Sequence, residues 1–318
     1  MERVQINGRT YSDPDVVSLI RSSVHPIDPQ HEVVRRAREL NQLLRNFGDV
    51  PPEPRKRLEI LASLARVKMA PANGPGMAKI GREALIYRDS DGSSRAYYDS
   101  TNTDARVNFT IAHEIAHTFF PSVGGARFRS MCADDSKEAN ELEMLCHRAA
   151  AELLMPIEEF SETLAGEMGL GSVPRLCARF GSSYEATVYR LATAYPGVAV
   201  AGVLRYRHRV EDIRRMKSRN QRSLFGDDDW KLTPPPKLRR QSVHISEGAK
   251  ARHIIRWNKS FDDDSCVYRA AAELGVHASW EPLPNECGDC GDIEAIRAPH
   301  QNPENDPTQP DILFLWWQ

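Results

Sequence analysis

The chain has 318 residues, 41% apolar and 27% charged, with a net charge of −2 and six cysteines. That balance excludes a disordered chain, a collagen-like fibre and a disulfide-stapled secreted domain. The longest apolar runs, such as Val198–Leu204, fall far short of the roughly 20 residues that cross a bilayer. Met1–Tyr11 has no apolar signal core, so the expectation is a soluble cytoplasmic protein with reduced thiols. At about 150 residues per domain, the length suits one large domain or two ordinary ones.

In chain order, Pro14, Pro26 and Pro29 break any long element within the first 30 residues. His31–Phe47 places Val33, Val34, Ala37, Leu40, Leu43 and Leu44 at helical spacing, with Gly48 as its stop. A second helix is expected over 55–67 and a loop over 70–76. Strands are expected at 83–88 and 95–99, joined by a hairpin turn carrying Asp91-Gly92. A helix follows over 107–120, stopped by Pro121, then a polar loop over 124–135. Ser136–Met155 reads as a long helix closed by Pro156, and shorter helices fill 157–195.

From Val198 the texture becomes strand-like. Strands are expected at 198–206, 278–282, 292–298 and 312–317, with one helix near 266–274 and an exposed loop over 220–240. The two terminal tryptophans are expected to dock on a sheet. The fold class is therefore α+β: a mostly helical core with a small β-hairpin or sheet, then a smaller strand-rich C-terminal domain. The division is an N-terminal helical extension over 1–54, a core over 55–196 and the C-terminal domain over 197–318. No internal repeat is visible.

Charge is uneven in the second half. Arg205–Arg256 holds 15 Lys and Arg against 6 Asp and Glu, and Trp257–Gln318 holds 3 against 12. These faces are either solvated or paired within one domain, or else they form a basic surface that attracts nucleic acid or an acidic partner.

The chemistry-bearing motif is His113-Glu114-Ile115-Ala116-His117, an HExxH on a helix with an apolar face. Residues four apart on a helix share a face, so both imidazoles can reach one metal ion. Glu114 is turned away from them, where it can hold a water beside the metal. Catalytic zinc usually takes three protein ligands, so a third is expected downstream. The helix over 136–155 offers Glu138, Glu141, Glu143, His147 and Glu152. Of these, Glu143 shares a face with His147 and Ala150, although spacing alone leaves a solvated glutamate equally open.

Arg106–Phe120 (RVNFTIAHEIAHTFF), Glu143–Pro156 (EMLCHRAAAELLMP) and Val173–Leu191 (VPRLCARFGSSYEATVYRL) form three ordered blocks. Together they resemble the ImmA/IrrE family of metallopeptidases over roughly residues 55–195. The resemblance implies a zincin-like fold with Zn2+ held by His113, His117 and Glu143, and with Glu114 as general base. It also implies limited, regulatory cleavage of a partner protein, typically a helix-turn-helix repressor, in stress response, mobile-element control or phage defence. Two positions depart from the family: His147 stands where Asn is usual and Ala149 where Phe is usual. His147 can hydrogen-bond a ligand histidine, become a fourth ligand that closes the site, or be an unrelated surface histidine. Some members carry a sensor domain after the core, which is the role expected of residues 197–318.

Weaker signals remain. Cys287 and Cys290 form a lone CxxC that, with Cys266 or His277, can hold a second, structural ion, take a redox or disulfide role, or be plain loop cysteines. Cys132, Cys146 and Cys177 read as packing residues. Leu176–Leu191 can be drawn as helix–turn–helix around Gly181-Ser182-Ser183, but the second helix lacks a basic cluster, which favours structural packing over DNA reading. Arg205–Arg215 interleaves aromatic and basic residues. The competing reading of the whole chain is a non-catalytic DNA- or protein-binding regulator with a structural metal site. No membrane role is expected.

Overall fold

The structure is a computed structural model. It describes residues 2–22, 27–72, 84–88, 92–121, 137–164, 166–222, 234–285, 288–299 and 308–318. Its elements make an α+β fold, and the described chain gathers into two compact units. The first comprises Met1–Thr163 with Arg175–Ser183, the second Leu164–Pro174 with Tyr184–Gln318. No described helix is long and apolar enough to cross a membrane.

The first unit opens with a hairpin, β1 (Val4–Ile6) and β2 (Arg9–Tyr11), turned at Asn7-Gly8 with both residues at positive φ. Asn-Gly is the strongest two-residue hairpin signal. Two of the prolines expected to interrupt this region stand at helix starts, while Pro26 lies outside the described residues. Pro14 opens α1 (Pro14–Arg21), Pro29 opens α2 (Pro29–Asn46) and Pro54 opens α3 (Pro54–Leu64). At the first helical position a missing N–H costs nothing. Asp13 and Asp28 cap α1 and α2, their carboxylates accepting backbone N–H groups of Asp15, Val16 and Gln30.

The helix expected to reach residue 67 stops at Leu64. Arg66 turns the chain at φ 57°, and Val67–Ala72 forms strand β3 where a loop was expected from residue 70. β3 runs parallel to β5 (Ser94–Asp99), and β4 (Ala84–Arg88) pairs antiparallel on the other side of β5. Pro71 is tolerated because β3 is an edge strand. Most of the turn between β4 and β5, with residues 89–91, lies outside the described residues, as does the loop over 124–135 with Cys132.

Helix α4 (Asp104–His117) carries the HExxH, and α5 (Lys137–Leu154) carries the third candidate ligand. The two pack against each other, and α2 packs on α5. Ala112, Ala116, Cys146, Ala149 and Ala150 are all fully buried, and such small side chains let helices approach closely. Then follow α6 (Ile157–Leu164), α7 (Val173–Phe180) and α8 (Tyr184–Ala194). The turn drawn as helix–turn–helix is real at Gly181, with φ +63°, but most of α7 lies in the first unit and α8 in the second. Thr187, Val188, Arg190, Leu191 and Ala192 of α8 are buried, as a packing helix requires.

The second unit is built on a five-stranded antiparallel sheet in the order β7-β6-β10-β9-β8. Its strands are β6 (Ala199–Arg207), β7 (Lys237–Ile245), β8 (His277–Pro282), β9 (Cys290–Arg297) and β10 (Ile312–Trp317). The chain's last strand is thus the central one. Every residue from Ile312 to Trp316 is buried, so the run shows no alternation. Ile312, Phe314 and Trp316 pack with Val200, Leu204, Ile293 and with Cys266, Val267 and Ala270 of a C-terminal helix, Cys266–Ala272. Trp316 donates its indole N–H to Glu281 O at 3.2 Å. A Cβ at Gly291 would lie 2.7 Å from the Trp316 ring, so the glycine makes room for it.

Strand β7 enters the region expected to be a loop, its first four residues being basic or flanked by basic residues. Helix α9 (Val210–Arg222) follows β6.

Candidate metal centre

The site begins with the rigidity of α4. Asn108, five residues before the first histidine, is buried and clamped from two sides. It accepts the Arg55 Nε–H at 2.7 Å and donates Nδ2 to Gly181 O at 3.0 Å. The facing helix is held by Glu141, whose carboxylate accepts the backbone N–H groups of Ser12 (2.8 Å) and Asp13 (3.0 Å) and the Ser12 hydroxyl (3.2 Å). An N-terminal segment thereby anchors α5 two residues before Glu143.

Between these helices three donors converge. His113 Nε2 lies 3.0 Å from Glu143 Oε2, and His117 Nε2 lies 3.9 Å from Glu143 Oε1. Among the described residues these three side chains form the one group able to offer three ligand atoms, all within 4.8 Å of one another. Donors about 2.0–2.1 Å from a tetrahedral ion stand about 3.3 Å apart, so the two distances bracket what such an ion needs. Two imidazoles and a carboxylate are also a donor set that zinc accepts, and the residues present fit the ion.

Electrostatics agree with that reading. Burial pushes the Glu143 carboxyl up, yet the His113 hydrogen bond and the charges of His117, His113 and His147 outweigh it and hold it down at about 2. Glu143 is therefore ionised, the state in which a carboxylate can hold a metal ion. Glu114 is buried, and burial with the nearby Glu143 charge pushes it up to about 7, against the pull of His113.

The other candidates separate. His147 sets its ring 4.8 Å from the His113 ring and 5.5 Å from that of Phe109, a ring-to-ring contact rather than a hydrogen bond, and it is not one of the three converging donors. Glu141 anchors the N-terminal segment, and the buried Glu152 accepts from Arg38. Cys290 is a free thiol in β9 and Cys266 is free and buried, while Cys287 lies outside the described residues.

One residue read as packing stands at the site. Cys146 Sγ is 3.4 Å from His117 Nδ1, the nitrogen opposite the converging face. The signal for it was its position three residues after Glu143, on the same side of α5. His113 Nδ1, by contrast, is buried with no hydrogen-bond partner among the described residues.

Comparison with known proteins places this geometry in a family context. The sequence profile of the IrrE N-terminal-like domain (Peptidase_M78), a metallopeptidase-type family, matches residues 83–192. A transcriptional regulator of Mycobacterium tuberculosis has a similar fold, with a TM-score of 0.52 and 13% identity over 96% of this chain and 82% of that one. No curated protein matches the sequence significantly.

Proposed function

Residues 83–192 match the sequence profile of the IrrE N-terminal-like domain, and from that similarity we propose that the chain is a zinc-dependent metalloendopeptidase. His113, His117 and Glu143 are the ligands and Glu114 is the general base. The observation that carries this reading is the convergence of His113 Nε2, His117 Nε2 and the Glu143 carboxylate from two facing helices. Zinc held there supplies Lewis-acid chemistry, lowering the pKa of water toward 7 and polarising a scissile carbonyl.

The chain's own residues do the rest. Glu114 takes the proton of the attacking water on its carboxylate and hands it to the leaving amine, and a carboxyl raised to about 7 is suited to both halves of that exchange. Cys146 accepts the His117 Nδ1–H, which leaves the Nε2 lone pair facing the ion. The packing of His147 on His113 limits rotation of that ring.

The substrate of this reading is a partner protein, cut at a limited site. A helix-turn-helix repressor in stress response, mobile-element control or phage defence is the candidate, with the strand-rich domain over 197–318 as sensor or partner-binding surface and the cytoplasm as the compartment. Elemental analysis tests the site: about one zinc per chain in the wild type and none in His113→Ala supports it. No zinc in the wild type, even after reconstitution, overturns it. Co-expression with neighbouring repressors tests the substrate, and cleavage must vanish in Glu114→Gln.

A further inference from the structure

The basic half of the C-terminal sequence is not simply neutralised by the acidic half. Arg205 is held by Asp311 at 2.8 and 2.6 Å, and Lys237 by Asp263 at 2.9 Å. Two arginines between them are treated differently. Arg239, on the edge strand β7, is buried and donates to neutral carbonyls: Nε to Arg207 O at 3.1 Å and Nη1 to Asn258 O at 2.5 Å. The next residue, Arg240, lays its guanidinium 4.2 Å over the ring of Trp257, and its buried Nε has no hydrogen-bond partner among the described residues.

Burial disfavours the charge of both guanidinium groups, and Arg209 adds repulsion at Arg239, where Asp212 and Tyr268 act in the opposite direction. An arginine cannot shed its proton at ordinary pH, so Arg240, with its buried Nε bonded to no carboxylate among the described residues, leaves a positive potential that an anion can satisfy.

Trp257 completes the arrangement. It remains 57% exposed although its ring carries Arg240, an unusual state for so large an apolar side chain. It sits in a surface segment whose Lys250, Arg252, Arg256 and Lys259 are exposed. A register shift between Val203 and Leu204 leaves Gln241 as an extra residue beside Arg240, and such bulges re-aim side chains next to sites. An acidic peptide would use the arginines but has no need of an aromatic plane. A lipid surface would want several exposed apolar residues rather than one ring topped by a guanidinium.

We propose that the β7 edge, with Arg240 and Trp257, binds single-stranded nucleic acid, Trp257 stacking on a base while Arg240 takes an adjacent phosphate. Backbone neutralisation by a basic groove joined to base stacking on an aromatic ring is the general physics of such sites. The site lies in the second unit and does not depend on the peptidase reading.

Fluorescence anisotropy of the full chain with a labelled oligothymidylate of about twenty nucleotides tests it. Binding that weakens steeply with salt is expected, with a preference over the duplex of the same length. Trp257→Ala and Arg240→Gln should each weaken binding about tenfold, while Arg214→Gln on α9 should change it little. Thermal melting checks that the variants fold, and should Trp257→Ala fail to fold, Arg240→Gln decides. Four results overturn the proposal: no binding at low salt, duplex bound as well as single strand, wild-type affinity in both site variants, or full displacement by oligoglutamate or by thymidine monophosphate at matched charge concentration. The last would reassign the site to an acidic peptide or to a free nucleotide.

Discussion

The two units reach their order by different routes. In the first, the candidate metal site rests on two short-range spacings, His113 to His117 within α4 and Glu143 to Cys146 within α5, plus one helix–helix contact. In the second, the central strand is the last in the chain and pairs with β6, more than a hundred residues earlier, and with β9. Helical periodicity writes a face into a few consecutive residues. A sheet's register is decided by partners far away in the chain, and a strand buried on both faces has no alternation to read. The comparison teaches that a site carried on helices can be legible where the scaffold around a sheet is not.

Four perturbations sharpen the contrast. The largest effect is expected from Glu114→Gln, which should lower cleavage on the order of 10²–10⁴-fold while leaving zinc content unchanged, as measured by turnover beside elemental analysis. Loss of the metal as well would break the division of labour between Glu114 and its neighbours.

Next comes Trp316→Ala. Removing this fully buried ring should cost about 3–5 kcal/mol, read as a lowered denaturant midpoint, because the space that Gly291 leaves for it becomes a cavity. Zinc stoichiometry should stay at one per chain if the two regions are energetically separate, and a parallel loss of metal would show that they are not.

A smaller change is expected from Cys146→Ala. Without an acceptor for His117 Nδ1, zinc affinity should fall about tenfold in competition with a chromogenic chelator, and Cys146→Ser should recover part of it. Unchanged affinity in the alanine variant would return Cys146 to the role of a packing residue.

The smallest is Glu159→Gln. Burial raises the Glu159 carboxyl, but its hydrogen bonds and charge pairs with Arg57 (2.8 and 2.6 Å) and Arg179 (2.9 Å) outweigh that and hold it below its ordinary value. A carboxylate lowered in the folded state contributes its full stability above the ordinary value of about 4.3, and that contribution is lost as pH falls through the lower native value. The variant should therefore be less stable by about 1–2 kcal/mol at neutral pH and converge on the wild type in strong acid. A constant difference at all pH values would point to packing rather than charge.

Legibility varied residue by residue. The helices of residues 31–47, 107–120 and 136–155 were readable to within a few positions because their apolar faces repeat at helical spacing. The prolines mark boundaries without telling which side the element lies on: Pro14 and Pro29 read as breaks, and each opens a helix. Strand β3 was hidden behind a helix that ended early at Leu64, before Arg66, whose left-handed conformation no local pattern announces. Strand β7 was hidden by its arginines, which look like a solvated loop until one of them is found buried against backbone carbonyls.

By itself the sequence determined the α+β character, the helix that carries His113, Glu114 and His117, and the short list from which Glu143 came, because each depends on neighbours within one or two helical turns. Only the tertiary structure decided that Glu143 rather than Glu141 or Glu152 meets the two imidazoles, the Glu138 side chain lying outside the described residues, that Cys146 backs His117, and that the terminal Ile312–Trp317 is the centre of a sheet. Those outcomes turn on how one helix is rotated against another and which strands find each other, and packing between distant segments sets both.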